Sequence, residues 1–315
     1  MAKIEQPMVL FIMGPTASGK TELAIQLARR YPFEIISVDS VMVYRGMDIG
    51  TAKPDASTLR KVPHRLIDIR DPAEVYSAAD FRKHALAEIS NIFSLGRIPL
   101  LVGGTMLYFR ALQHGLSGLP TANSEVRSRL EEERRVYGLE ALYRRLQFLD
   151  PSTAARIHPK DPQRIQRALE IIELSGRSVT ELYAEQKDEI FPFRVFKLIV
   201  SSDRPLLHER IKKRFDAMLK QGFVQEVEVL YKRPDLGLDK PSIRAVGYRQ
   251  IWEYLDGLTD HAEMIEKSVV ATRQFAKRQF TWLRSETDGI WLDTNIKGLF
   301  DRVCECLQQT RFFPK

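Results

Sequence analysis

Residues Gly14-Pro15-Thr16-Ala17-Ser18-Gly19-Lys20-Thr21 follow the pattern G-x-x-x-x-G-K-[ST] directly after the apolar run Met8-Val9-Leu10-Phe11-Ile12-Met13. No other stretch constrains the fold as much. The glycines let backbone N–H groups turn onto anionic oxygens, the following helix adds its positive N-terminus, Lys20 reaches phosphates, and the Thr21 hydroxyl can ligate Mg2+. A chance glycine-rich turn rarely places all eight positions between a buried-type strand and an amphipathic continuation, Glu22 to Arg30. The expected fold class is therefore α/β, a P-loop NTPase-like core with a parallel sheet. The loop alone leaves open which phosphate compound it holds.

The next apolar run, Phe33-Glu34-Ile35-Ile36-Ser37-Val38, ends at Asp39-Ser40, and a third, Ile98 to Val102, runs into Gly103-Gly104-Thr105. Ligand sites of parallel sheets lie at the carboxyl ends of strands, so both ends should face the phosphate loop. Between them, Val41 to Pro72 carries Gly46, Gly50, Pro54 and Pro63 and reads as a long functional loop or lid, and Ala78 to Leu95 reads as a helix stopped by Gly96. Glycine and proline density rises from Gly115 to Pro120. Charged helical segments follow, Glu125 to Tyr137, Leu139 to Leu149 and Gln163 to Leu174, which read as a helical insertion. Arg194 to Ser201 returns to the sheet. Helices are then expected over Leu206 to Leu219, Val224 to Tyr231, Ile243 to Leu255 and Met264 to Leu283, before a strand at Ile290 to Leu292 and a closing helix. The predicted layout is a core over 1–120 and 190–315, interrupted by an insertion over 121–189.

Charge adds a weaker hint. An excess of 48 Lys+Arg over 41 Asp+Glu gives a net +7, a balance that suits a polyanionic partner without proving one. The two cysteines, Cys304 and Cys306, complete neither a zinc site nor a disulfide framework and read as helix residues of a reducing compartment. Six histidines in no H-x-x-H or H-E-x-x-H spacing argue against a histidine-held metal. Residues 1–7 are too short and polar for a signal peptide, and no apolar run approaches the roughly 18 residues of a membrane span. A cytoplasmic protein, off the membrane, is expected.

Group transfer on a P-loop needs a residue that activates the acceptor and a carboxylate that orients Mg2+. Asp39 is the first candidate for either role, and it could equally be an Asp that caps the loop leaving its strand. Asp293 also ends an apolar run but reads as structural. Arg210 and Arg214 stand at i and i+4 on one helix face, so either could reach a phosphate, or both could be solvated. The stretch around Lys277, Arg278 and Arg284 interleaves Arg273 with Phe275, Phe280 and Trp282. That pattern suits backbone contact plus base stacking, and equally an amphipathic helix with a buried aromatic face.

Six blocks resolve much of this by resemblance. Ile-Ser-Val-Asp-Ser at 36–40, Val-Tyr-Arg-Gly-Met-Asp-Ile-Gly-Thr-Ala-Lys-Pro at 43–54, Leu-Leu-Val-Gly-Gly-Thr at 100–105, Asp-Pro-Gln-Arg-Ile-Gln-Arg-Ala at 161–168, Ile-Arg-Ala-Val-Gly-Tyr-Arg-Gln at 243–250 and Lys-Arg-Gln-Phe-Thr-Trp-Leu-Arg at 277–284 resemble the tRNA dimethylallyltransferase family, bacterial type. The resemblance implies a P-loop diverted from ATP, in which Gly14 to Thr21 hold the diphosphate of dimethylallyl diphosphate with Mg2+ on Thr21. The five-carbon group then goes to the exocyclic N6 amine of the adenosine adjacent to the anticodon.

It further implies Asp39 as the catalytic aspartate, Thr105 as a contact to the tRNA near the reaction centre, and Arg214 and Lys20 at the diphosphate. Thr105 could at the same time be a helix N-cap. A target base must be turned out of its stack, so a gripping surface is needed. The implied grips are Asp39, Ser40, Val41 and Met42, then Thr105 and Arg127, the Gln163-Arg164-Ile165-Gln166-Arg167 segment, Arg244, Gly247, Tyr248 and Arg249, and Lys277, Arg278, Gln279, Trp282 and Arg284. Many members carry Gln where this chain has Met42, which removes one amide hydrogen bond from base recognition. The zinc finger of eukaryotic members is absent from the sequence, and a compact form acting as a monomer on the tRNA anticodon arm is expected. Two rivals share the motif: a small-molecule P-loop kinase with a purine pocket, and a non-enzymatic RNA-binding protein that merely holds phosphate.

Overall fold

The computed structural model describes residues 6–116, 118–185, 191–310 and 312. Six strands form one parallel sheet: β1 (Met8–Met13), β2 (Phe33–Val38), β3 (His64–Arg65), β4 (Ile98–Gly103), β5 (Arg194–Ser201) and β6 (Ile290–Asp293), in the order β3-β2-β4-β1-β5-β6. The sequence periodicity explains the layering. Along β1, Val9, Phe11 and Met13 pack into one core cluster while Leu10 and Ile12 pack into another, so both faces are covered, as a parallel sheet requires. Helices Ala78–Ser94, Met106–His114, Arg204–Lys220 and His261–Leu283 contribute to the first cluster, and Lys20–Arg30 and Leu299–Gln309 to the second.

The register aligns the functional strand ends. Met13 pairs with Gly103 and Val38 pairs with Gly103 from the other side, so the chain leaves β1, β2 and β4 at one level, the carboxyl edge of the sheet. Gly103 permits this closeness, since a Cβ there would lie 2.0 Å from the Val38 carbonyl oxygen.

Several expectations change. The 41–72 segment is not wholly irregular: Asp55 caps a helix over Ala56–Lys61 by accepting from Thr58 N, and β3 extends the sheet beside β2. The helix expected from Ile243 begins only at Tyr248, because Gly247 sits at φ 92° and breaks the approach. Met106–His114 is a helix that the periodicity reading did not assign.

By contact density the chain divides into Met1–Gln113 with Phe191–Lys315, and His114–Ile190. The second unit contains Ser124–Leu149, Pro151–Arg156, Pro162–Ser175 and Val179–Ala184 around its own core of Leu130, Leu142, Leu146, Ile165 and Leu169. Helix Ser124–Leu149 kinks at Gly138 (φ 82°, ψ 164°), the place where the sequence suggested two helices. Pro151–Arg156 and Val179–Ala184 were not anticipated. No helix among the described residues is long and apolar enough to cross a membrane.

Candidate functional site

After β1 the chain turns through 14–19 into helix Lys20–Arg30, with Ala17 (φ 62°) and Gly19 (φ 84°) both left-handed. Gly14 has no room for a side chain, since a Cβ would lie 2.3 Å from the Val200 carbonyl oxygen. The consequence is a set of inward amides. The N–H groups of Ala17, Gly19, Lys20 and Thr21 find no acceptor among the described residues, and the buried Ser18 hydroxyl has no partner either. Four open donors at a helix N-terminus define an anion site. Lys20 Nζ folds back onto the Pro15 carbonyl at 3.0 Å, and burial, reinforced by the Arg214 charge, lowers its pKa to about 8 against the opposing pull of Asp39.

Two cavities meet beside this loop. The larger, about 980 Å³, is lined by Lys20, Thr21, Ser37, Lys53, Asp68 and Gly104 among others. The smaller, about 400 Å³, is aromatic, with Tyr44, Tyr76, Phe215, Phe223, Tyr248 and Phe275 in its wall and Arg244 and Arg278 beside them. Asp39, Arg214, Met218 and Phe275 line both. A polar group held at the P-loop and an apolar group held among the aromatics would therefore join at Asp39 and Arg214.

Asp39 is placed by its own turn. Its Oδ1 accepts from Val41 N (2.8 Å) and Met42 N (3.1 Å), while Oδ2 accepts from no described residue. The capping reading thus holds and leaves room for the functional one: one oxygen orients the carboxylate and the other is without a described partner. Thr105 supports the same turn by accepting from Ser40 N through Oγ1 at 3.2 Å. It stands just before helix Met106–His114, yet its side chain serves the Asp39 loop instead of capping that helix. Of the two arginines, Arg214 reaches the cavities, donating to the Thr51 carbonyl at 3.3 Å, and burial lowers its pKa while Asp39 opposes. Arg210 lines neither of these two cavities; it donates to Thr294 Oγ1 at 2.7 Å, beside a third cavity that it shares with Arg214 and Ala17 to Gly19.

The middle of the 41–72 segment is latched. Glu226, on helix Phe223–Tyr231, accepts from Asp48 N (3.0 Å), Ile49 N (2.6 Å), Gly50 N (3.2 Å) and the Tyr248 hydroxyl (2.5 Å). Lys53 donates to Asp48, Asp68 and the Tyr44 carbonyl. A stretch that reads from sequence as a lid has its central turn tied to helix Phe223–Tyr231 through a carboxylate that Tyr248 also holds.

For a metal, the donor set decides. No group of three or more His, Cys, Asp or Glu side chains among the described residues could cage an ion. Mg2+ needs no cage, because it keeps several waters and takes one or two protein ligands plus phosphate oxygens. Thr21, whose hydroxyl bonds to no described residue, and the nearby Asp39 fit that requirement.

The remaining candidates separate by burial. Lys277, Arg278, Trp282 and Arg284 are exposed at the end of helix His261–Leu283, with Arg278 over the Phe275 ring at 5.9 Å. Arg110, which the sequence reading missed, lies 5.6 Å from the Trp282 ring and extends this basic and aromatic patch. The signal was available, as a helix opening after Gly-Gly-Thr would have put Arg110 on its second turn. Arg244 and Arg249 are exposed.

Three candidates are corrected. Gln279 is 4% exposed and uses both ends of its amide, donating to the Gly104 carbonyl (2.7 Å) and accepting from Thr16 N (2.8 Å), so it braces the P-loop and cannot read RNA. Tyr248 is fully buried with its hydroxyl on Glu226. Ile165 belongs to the helical unit's own core.

Within that unit, Arg127 and Arg167 are partly engaged by the buried Glu170, at 2.9 and 2.6 Å. Burial raises the Glu170 pKa, but bonds from Arg167 and Arg127 outweigh it and hold the carboxyl low. Gln166 donates to the Arg127 carbonyl, and Gln163 and Arg164 are exposed. The Met42 sulfur receives the Ser37 hydroxyl at 3.8 Å.

Fold and site together define a P-loop α/β protein built for transfer of a group from a phosphorylated donor. The chain belongs to the IPP transferase family, which matches residues 42–286, well over half of its length and entirely downstream of the P-loop. Solved structures agree. The tRNA isopentenylpyrophosphate transferase of Bacillus halodurans is 38% identical, with 97% of this chain and 98% of that one covered and a TM-score of 0.70. The corresponding Staphylococcus epidermidis transferase is 30% identical over 97% of this chain and 100% of its own, at 0.69. A eukaryotic dimethylallyltransferase caught acting on tRNA is 28% identical over 97% and 80%, at 0.81.

Proposed function

We propose that this tRNA dimethylallyltransferase carries its donor diphosphate on the P-loop and joins donor to acceptor at Asp39. The observation that carries the reading is that Asp39 and Arg214 line both cavities, one walled by open phosphate-binding amides and the other by aromatic rings. In the reaction the bond from the allylic carbon C1 to the diphosphate oxygen breaks, the diphosphate leaves with the electron pair, and the N6 amine of the adenosine adjacent to the anticodon bonds to C1. An allylic carbon tolerates a dissociative, carbocation-like transition state, so the leaving group needs the most help. The open amides of Ala17 and Gly19 to Thr21 surround the place where that charge develops, and Lys20 and Arg214 join them by giving up the Pro15 and Thr51 carbonyls. Bound Mg2+, held by Thr21, would neutralise the diphosphate further.

The adenine amine is a weak nucleophile because its lone pair is delocalised into the ring. Asp39 Oδ2 accepts the N6 proton or orients the amine, while Oδ1 holds the carboxylate in place. The exposed Lys277, Arg278 and Arg284 grip the tRNA backbone, and Trp282 offers a stacking face once the base has left its helix. The protein acts on the anticodon arm, in the cytoplasm, as a monomer. Incubating it with Mg2+, radiolabelled dimethylallyl diphosphate and unmodified tRNA should put label into the RNA, and Lys20→Ala should abolish the signal. ATP turnover in a parallel arm with no label transferred would replace this reading with a kinase.

A further inference from the structure

We infer that Phe223 sets the upper length of the allylic donor, by closing the aromatic cavity against a second five-carbon unit. The inference rests on the reading of the donor as an allylic diphosphate held at the P-loop. With the diphosphate there, the hydrocarbon tail extends past Asp39 and Arg214 into the cavity of about 400 Å³, where Ile211, Phe215, Met218 and Phe223 offer apolar wall. A longer tail buries more apolar surface, so hydrophobic attraction by itself would favour the longer donor. Exclusion requires a wall that does not yield.

Phe223 has the properties of such a wall. It is 1% exposed, lines the aromatic cavity and not the phosphate cavity, and stands edge-on to Tyr248 at 4.9 Å between ring centroids and to Phe215 at 6.2 Å. Along its edge the ring rests directly on the backbone of two glycines that line the same cavity. A Cβ on Gly50 would lie 2.1 Å from its Cε2, and one on Gly247 would lie 2.9 Å from its Cε1. Both glycines are fixed in turn, since Gly50 N donates to Glu226 and Gly247 N donates to Gln250 Oε1 at 2.8 Å. Held between Phe215, Tyr248 and the two glycines, the ring is closely packed and resists displacement when a longer tail presses on it.

The test compares dimethylallyl with geranyl diphosphate as donors to unmodified tRNA, in the wild type and in Phe223→Leu and Phe223→Ala. The chemistry balances as before: the C1–O bond of the ten-carbon donor breaks, diphosphate departs with the electron pair, the N6–C1 bond forms, and the N6 proton leaves to Asp39 or water. The wild type should strongly prefer the five-carbon donor. The variants should raise the ratio of kcat/KM for the ten-carbon donor to that for the five-carbon donor by about tenfold or more. An unchanged ratio in both variants, or a wild type that already uses both donors equally, overturns the inference. If a folded variant loses turnover, calorimetric binding of geranyl diphosphate decides, with tighter binding than wild type supporting the wall and unchanged binding overturning it. A wild type that transfers neither group would instead refute the underlying reading of the donor.

Discussion

Two loops of this molecule present consecutive backbone amides to an anion, and they do opposite things with them. At Ala17 and Gly19 to Thr21 the amides stay open beside a cavity, whereas at 48–50 three successive amides are already spent on the Glu226 carboxylate. The backbone device is the same. What differs is whether the fold supplies the anion. Where a glutamate arrives from helix Phe223–Tyr231, the loop becomes a wall of the site; where none arrives, the loop becomes the site. A rank of oriented amides is thus no proof of a ligand until the protein's own carboxylates have been accounted for.

The sharpest way to break this comparison lies where the open loop does its chemistry. Asp39→Ala should lower kcat for transfer by about 10²- to 10⁴-fold, with tRNA affinity held near wild type. Near-normal turnover by that variant would remove Asp39 from the reaction. At the closed loop, Glu226→Gln replaces an acceptor-only group with one that must turn an NH2 toward an amide. Unfolding free energy should fall by about 1.5–3 kcal/mol, read by denaturant titration. No loss of stability there would mean that the three amides do not depend on the carboxylate.

Acidity sharpens the contrast further, because only the open loop leaves a cation short of an anion. Lys20 has a folded pKa of about 8, below its ordinary 10.5, and binds diphosphate only when protonated. Its charge is therefore present below that value and lost as pH rises through it. Diphosphate affinity should fall about tenfold between about pH 7 and about pH 9. Because the bound anion pulls the pKa back up, binding near about pH 8.5 should take up a proton, visible as a buffer dependence of the calorimetric heat. The smallest effect is expected on the outer patch. Arg278→Ala should weaken tRNA binding modestly and reduce the slope of log affinity against log salt by about one. An unchanged slope would take Arg278 off the RNA backbone.

Much of the core was legible because its signals are local. The eight-residue loop, the apolar runs of β1, β2 and β4, and the aspartate at the end of β2 are each set within a few residues of one another. Gln279 and Glu226 were not legible in the same way. Gln279 reads as one more polar residue in a basic helix, and only its bond to Gly104, 175 positions away in sequence, reveals a brace for the P-loop. Glu226 sits on an unremarked helix, and its meaning comes from amides 176 to 178 residues distant. Tyr248 and Ile165, both buried, show the converse: motif membership does not say which face of a helix is exposed.

The sequence by itself determined the parallel α/β core, the phosphate loop with Lys20 and Thr21, and Asp39 at a strand end, because hydrophobic periodicity and glycine geometry act over short spans of chain. Only the tertiary structure decided that Arg214 and not Arg210 lines the two cavities at Asp39, which amides stay open, and which aromatic rings wall the smaller cavity. Those outcomes depend on packing between segments far apart in the chain, where one carboxylate or one missing Cβ changes the neighbour that a group meets.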